Sequence, residues 1–201
     1  GVMHSFERIT KVAENIAKDI KSRIGDIDDN RILSYLPLAH VFERAWVEAM
    51  SMVDGKTHVF FAESLDTFVA DLNRARPTTF ISVPRLWLKF QQGVFAKMPP
   101  KKLNRLLSIP ILSGIVKRKV LKNLGLDQAL LAGSGSAPIP AELISWYQRL
   151  GLNMIEGYAM SEDFAYSHNS TPEINAPGCV GVPLPGVEVR ISEEGEILIK
   201  S

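Results

Sequence analysis

Apolar side chains recur every three or four positions from Phe6 through Ile9, Val12, Ala13, Ile16, Ala17 and Ile20 to Ile24, with Lys and Glu between them. That period predicts one amphipathic helix over residues 4–24, with Gly25 as its stop. After an acidic loop at 26–30, residues 31–36 read as a buried strand ending at Pro37, and helical spacing returns over 41–53. The alternation then repeats: strand 57–61, helix 65–75, a β-branched strand at 78–83, and helix 84–97 with proline in its first turn. Residues 98–126 are basic and broken by Pro and Gly, and strand 128–132, helix 141–150 and strand 152–156 close the series. Strands separated by helices predict an α/β fold whose largely parallel sheet carries helices on both faces. Beyond Tyr158 a Ser, Asn, Thr and Pro-containing loop is expected through Pro177. Period-two alternation at 187–191 and 196–200, around Glu194-Gly195, predicts a C-terminal antiparallel hairpin.

With 201 residues, 46% of them hydrophobic and 22% charged, the chain can bury a full-sized core, which excludes a disordered or collagen-like protein. Its 23 Lys and Arg against 22 Asp and Glu leave a net charge of +1, not the balance of a nucleic-acid binder. The distribution is less even. Residues 72–126 hold 12 Lys and Arg and no carboxylate, whereas 1–71 hold 8 against 12 and 127–201 hold 3 against 10. Such a field attracts phosphates, CoA-like polyanions or anionic lipid headgroups over roughly 8 Å at physiological salt. The plainer expectation is that carboxylates elsewhere in the fold pair with these bases.

Cys179 is the single cysteine, so no intrachain disulfide or thiolate cluster can form, and a reducing, cytoplasmic setting fits. The longest apolar run, 106–116, is interrupted by Ser108, Pro110, Ser113 and Gly114 and is too short to span a bilayer. Bases bracket it: Lys97, Lys101, Lys102 and Arg105 before, Lys117, Arg118, Lys119 and Lys122 after. Residues 97–122 therefore suit a peripheral contact with an anionic membrane. The competing expectation packs Leu106, Leu107, Ile109, Ile111, Leu112, Ile115 and Val116 on the sheet as core. The chain opens on Gly1 and ends inside an expected strand, which reads as a piece of something longer.

Two clusters could carry chemistry. Residues 132–138, Ala-Gly-Ser-Gly-Ser-Ala-Pro, lie between a strand and a helix, where ligands sit beyond the carboxyl ends of strands, and glycines there let the backbone approach a ligand. A dinucleotide site would pair Gly133-x-Gly135 with Glu156, but Pro138 replaces the third glycine and removes a donor. Neither Ser134 nor Ser136 stands in a G-x-S-x-G frame, so a hydrolase elbow is not supported. The second cluster, Glu156-Gly-Tyr-Ala-Met-Ser-Glu162, combines an aromatic face, a glycine, a hydroxyl and a carboxylate. A purine could stack on Tyr158, Ser161 could bond a phosphate oxygen, and Glu162 offers a hard oxygen ligand suited to Mg²⁺. Alone it reads more readily as an ordinary loop around a buried tyrosine. His40, between a strand and a helix, could orient a carboxylate or gate a pocket, or be satisfied by backbone. His4, His58 and His168 show no metal-ligand spacing, and Asp26, Asp28 and Asp29 read as a solvated turn.

Four ordered segments, YLPLAHVFER at 35–44, TTFISVPRLWLK at 78–89, AGSGSAP at 132–138 and EGYAMSE at 156–162, resemble the motifs of the acyl-adenylate-forming superfamily. The first is most similar to its long-chain fatty acid–CoA ligases, and the resemblance runs through essentially all of the chain. It implies an ATP- and Mg²⁺-dependent ligase that converts a fatty acid to acyl-AMP and then, with CoA, to acyl-CoA. Carried over by motif, Gly133, Ser134, Gly135, Ser136, Ala137 and Pro138 would form one wall of the adenine site. Glu156, Gly157, Tyr158, Ala159 and Met160 would form its other side, with Tyr158 stacking on the base. Ser161 would contact phosphate, Glu162 would hold Mg²⁺, and His40 would lie between carboxylate and phosphate or act as a gate. Ala159 and Ser161 stand where the motif usually has glycine and threonine. The resemblance also implies that residues 1–177 belong to the α/β part of a large N-terminal domain and 178–201 begin a small β-rich subdomain. The phosphate loop and the C-terminal domain with its catalytic lysine would lie outside the chain, leaving these residues alone inactive.

Overall fold

A computed structural model describes residues 1–171, 174 and 176–201. Helix α1, Phe6–Ile24, is capped by Ser5, whose Oγ accepts from the Arg8 amide at 3.2 Å. It ends at Gly25, where φ is 84° and the amide returns to the Lys21 carbonyl at 2.9 Å. Its Val12, Ala13, Ile16 and Ile20 face the interior, as the periodicity requires.

Strands β1 (Asn30–Ser34) and β2 (Thr57–Phe61) pair in parallel. Strands β3 (Thr79–Ser82), β4 (Leu131–Ser134) and β5 (Met154–Tyr158) are likewise parallel, in that order. The Thr78 amide donates to the Arg31 carbonyl at 3.0 Å, which sets β1 beside the start of β3. On the far edge, β5 runs antiparallel to β6 (His168–Asn169), and β6 antiparallel to β7 (Val182–Pro183).

Successive residues of each central strand enter opposite cores. Leu33, Phe80, Ala132 and Met154 join one cluster, while Ile32, Ile81, Leu131 and Ile155 pack with the other. The first cluster is covered by α3 (Phe68–Ala75), α4 (Pro84–Lys97), α5 (Pro100–Leu107), α6 (Pro110–Asn123) and α7 (Ala141–Leu150). The second lies under α1 and the helix that carries Trp46. The expected two-faced parallel sheet is therefore present, and β8 (Glu188–Ile191) pairs antiparallel with β9 (Ile197–Lys200) as the expected hairpin. Residues between β7 and β8 stay with the main body, since Leu184 is buried in the second core.

Several local expectations change. Residues 98–126 are not broken: Pro99-Pro100 and Pro110 each open a helix, because proline at the first helical turn lacks only an amide that would be unpaired anyway. Gly114 is carried inside α6. Helical spacing at 41–53 is satisfied by a π-helical stretch, Glu43–Ala49, running into α2, Met50–Asp54. β4 and β5 both lie two or three residues later than expected, so Gly133, Ser134, Gly157 and Tyr158 are strand residues rather than turn residues. Part of the expected loop at 158–177 forms β6; its residues 172, 173 and 175 fall outside the described residues.

Candidate functional site

The carboxyl ends of β3, β4 and β5 open into a cleft. Its lining includes His40, Gly133, Ser134, Gly135, Ser136, Gly157, Tyr158 and Ala159, so the two glycine-containing segments and the histidine converge as their positions at strand ends require. Ala137, Pro138, Glu156, Met160, Ser161 and Glu162 are not among the lining residues. Trp46, Ile81, Ala165, His168 and Asn169 are, and nothing in the sequence spacing marked them.

Each wall has a local cause. Ser136 holds φ at 66°, a left-handed conformation uncommon for a side-chain-bearing residue, and it bends the chain away from β4. A Cβ on Gly133 would come within 3.1 Å of Ile81 Cγ1, so the strand tolerates little there beyond glycine. On Gly157 it would meet Asn169 Oδ1 at 2.5 Å; this glycine makes room for a neighbouring side chain across the β5–β6 pair and also lines the cleft. Tyr158 faces His168 edge-on with ring centroids 5.9 Å apart, and Ser167 Oγ lies 2.7 Å from His168 Nδ1. Burial lowers the His168 pKa, only partly opposed by the Asp163 charge, which favours a neutral ring.

Two polar side-chain atoms in this lining, Ser134 Oγ and Asn169 Nδ2, are buried and have no hydrogen-bond partner among the described residues. A buried unsatisfied polar atom costs about 1–3 kcal/mol, so a pair of them in one cleft points to a polar ligand. His40 Nδ1 accepts from the Phe42 amide at 3.3 Å, which places the proton of a neutral ring on Nε2. Glu156 is turned elsewhere: it is buried, its Oε2 accepts from the Gly178 amide at 2.6 Å, and burial raises its pKa against that bond.

Ser161 and Glu162 lie together on an exposed turn next to the cleft. Asp163 builds that turn, its Oδ1 accepting from the Met160 amide at 3.0 Å and the Tyr166 amide at 3.2 Å. Phe164 and Ala165 follow at φ 57° and 58°. The amino-terminal segment braces it: His4 Nε2 donates to the Ser161 carbonyl at 2.8 Å and Arg8 to the Glu162 carbonyl at 3.2 Å. Those bonds use only the backbone carbonyls of Ser161 and Glu162. Among the described residues no three His, Cys, Asp or Glu side chains group as a metal site. Asp26 is occupied by Lys21 at 2.7 Å and Asp28 by Lys56 at 3.0 Å, a charged turn as expected.

Behind the sheet lies a second, larger cavity of about 720 Å³, against about 80 Å³ for the cleft, lined mainly by apolar residues including Phe68, Leu86, Phe90, Val94 and Val120. It falls within the size range of small-molecule sites. Neighbouring residues of one segment serve the two spaces: Ile81 lines the cleft and Val83 the cavity, while Ser82 Oγ accepts at 2.8 Å from the OH of Tyr35, a cavity residue. Burial pushes the Tyr35 pKa up to about 12, keeping it a neutral donor.

The model of the AMP-binding enzyme family matches residues 1–201. The chain is 27% identical to long chain acyl-CoA synthetase 3 of Arabidopsis thaliana over 98% of its own length and 33% of that protein. It is 29% identical to a putative fatty-acid–CoA ligase, fadD11, of Mycobacterium tuberculosis over 89% of itself and 35% of that protein. It spans about a third of the curated relatives it matches. Among solved structures it is similar in fold to the anthranilate CoA ligase AuaEII in complex with anthranoyl-AMP, with TM-score 0.68 and 19% identity over 100% of this chain and 36% of that one. The o-succinylbenzoate CoA synthetase of Bacillus subtilis, in complex with its acyl-adenylate, gives 0.68 and 20% over 98% and 35%.

Proposed function

Because the chain belongs to the AMP-binding enzyme family, we propose that its cleft cradles the adenylate of a ligase that activates a long-chain fatty acid and passes the acyl group to CoA. The observation that carries this reading is the pair of unpartnered buried atoms, Ser134 Oγ and Asn169 Nδ2, in a cleft floored by backbone and edged by Tyr158.

In the first step a carboxylate oxygen of the acid attacks the α-phosphorus of ATP, the bond to the bridging oxygen breaks, and pyrophosphate leaves. In the second the CoA thiolate attacks the acyl carbonyl carbon and AMP leaves. No protein nucleophile is needed, so this chain contributes positioning and charge stabilisation. Gly133 to Ser136 form one side of the base pocket and Gly157 to Ala159 the other, with Glu156 holding the Gly178 amide behind them. Tyr158 offers the stacking face, and the Nε2 proton of His40 is available to a carboxylate or phosphate oxygen. Ser161 bonds phosphate. Glu162 fits Mg²⁺ as a single hard donor, the arrangement usual where substrate phosphates and water complete the shell; the ion would supply charge neutralisation at the departing pyrophosphate.

The large apolar cavity beyond Ser82 supports a fatty acyl chain over a compact aryl group, since every buried methylene adds roughly 0.8 kcal/mol, about fourfold in affinity. No helix among the described residues is long and apolar enough to cross a membrane. The test is acid-dependent ATP–pyrophosphate exchange by the longer protein that carries these 201 residues. We expect exchange with hexadecanoate, less with octanoate and none with benzoate. Preference for benzoate or an amino acid overturns the fatty-acid assignment, and no exchange with any acid leaves a nucleotide-binding module. The 201 residues alone are expected to bind the adenylate analogue without forming acyl-CoA.

A further inference from the structure

The carboxylate-free stretch 72–126 finds few carboxylates among the described residues. Of its 12 bases, Arg74 pairs with Asp71 and Arg76 with Asp127, each at 2.5 Å. The other ten form no ion pair among the described residues. The apolar run between them is likewise only half absorbed. Leu107 and Val116 pack on the first core, but Ile111 is 84% exposed and Ile115 63%, with Ile109 and Leu112 also exposed.

Helix periodicity puts these features together. On α6, Ile111, Ile115, Arg118 and Lys122 follow at intervals of four, three and four, one stripe of solvent-facing side chains, while Val116, Val120 and Leu124 turn to the core. The stripe is apolar in its first half and basic in its second. Exposed Lys89, Lys97 and Lys119 also line the large apolar cavity, with Leu65, 90% exposed, at the same opening.

We propose that the α5–α6 face docks on an anionic lipid bilayer. Isoleucines protruding from a short helix enter the headgroup boundary while unpaired Lys and Arg meet lipid phosphates, the two contacts that reversible attachment combines. A soluble polyanion would use the bases and leave Ile111 and Ile115 in water, which is why the bilayer is favoured. The cavity would then open toward the surface that holds acyl chains. Docking itself does not rest on the ligase reading, since it is measured without substrate.

The test is co-sedimentation of the protein with phosphatidylcholine vesicles, with and without phosphatidylserine, at low and high salt. Binding should require phosphatidylserine and weaken with salt. The triple variant Arg118→Gln, Lys119→Gln, Lys122→Gln should bind about a hundredfold less, near fivefold per base. The double variant Ile111→Ser, Ile115→Ser changes only exposed positions and should lose about tenfold or more. Equal binding to neutral and anionic vesicles, or equal binding by wild type and both variants, overturns the proposal. So does binding that inorganic pyrophosphate abolishes and the serine pair leaves untouched, because that marks a phosphate site.

Discussion

The indole Nε1 of Trp46 donates to the carbonyl of Ala165 at 2.8 Å, joining residues 119 positions apart across the floor of the cleft. Trp46 comes from the π-helical stretch after His40, and Ala165 ends the turn that presents Ser161 and Glu162. One buried bond therefore fixes the spacing between the histidine side and the carboxylate side of the site.

Trp46→Phe keeps an aromatic ring but leaves the Ala165 carbonyl buried and unpaired. We expect a loss of about 1–3 kcal/mol in urea unfolding, together with weaker nucleotide binding from a loosened 160–166 turn. Unchanged stability would mean that water or another donor reaches that carbonyl.

Glu162 is exposed and bonds the protein through its backbone. Glu162→Ala should leave thermal stability where it is while lowering ATP–pyrophosphate exchange in the longer protein by on the order of a hundredfold, the scale of removing one charge-stabilising group. Wild-type exchange at saturating Mg²⁺ would remove Glu162 from the metal role.

Tyr158 lines the cleft and makes a T-shaped ring contact with His168. Tyr158→Ala should cost about 1–3 kcal/mol in binding of a non-hydrolysable acyl-AMP analogue by calorimetry, and Tyr158→Phe much less. Equal losses in both variants would assign the hydroxyl, rather than the ring, to the contact.

Asp163 is buried at 2% exposure, and desolvation raises its pKa despite two amide bonds and the Arg8 charge. Its folded state thus holds the proton more tightly than the unfolded chain. Below the ordinary aspartate value of 3.8 both states are protonated and nothing is lost; as pH rises through the raised pKa, ionisation destabilises the fold. Asp163→Asn, which keeps an acceptor for the Met160 and Tyr166 amides, should therefore be more stable than wild type at neutral pH and converge with it in acid. A stability difference that does not change with pH would show that packing, not charge, governs this position.

The adenylate-forming motifs were legible because each is a run of residues at a strand end, and strand ends on a parallel sheet converge whatever surrounds them. Helix α4 was legible from end to end, since Pro84 fixes its start and its buried Trp87 and Phe90 set the period. Short strands were harder. β4 has four buried residues including Gly133 and Ser134, and composition alone assigns such residues to a turn. They form a strand because β3 and β5 pair on both sides and Ile81 occupies the space a Cβ would fill.

What the sequence determined by itself was the alternation that makes a two-faced parallel sheet, the family resemblance, and the uneven charge. Those properties reside in periodicity and in contiguous residues, which need no partner to be read. Tertiary structure alone decided that Asn169 and His168 line the cleft, that Gly157 gives room to Asn169, and that Trp46 reaches Ala165. It also decided that ten bases of 72–126 remain without carboxylates among the described residues and that half of the apolar run stays in solvent. Each of these is a relation between segments distant along the chain, set by strand register and by which face of a helix meets the sheet, and no local pattern encodes a distance between two side chains.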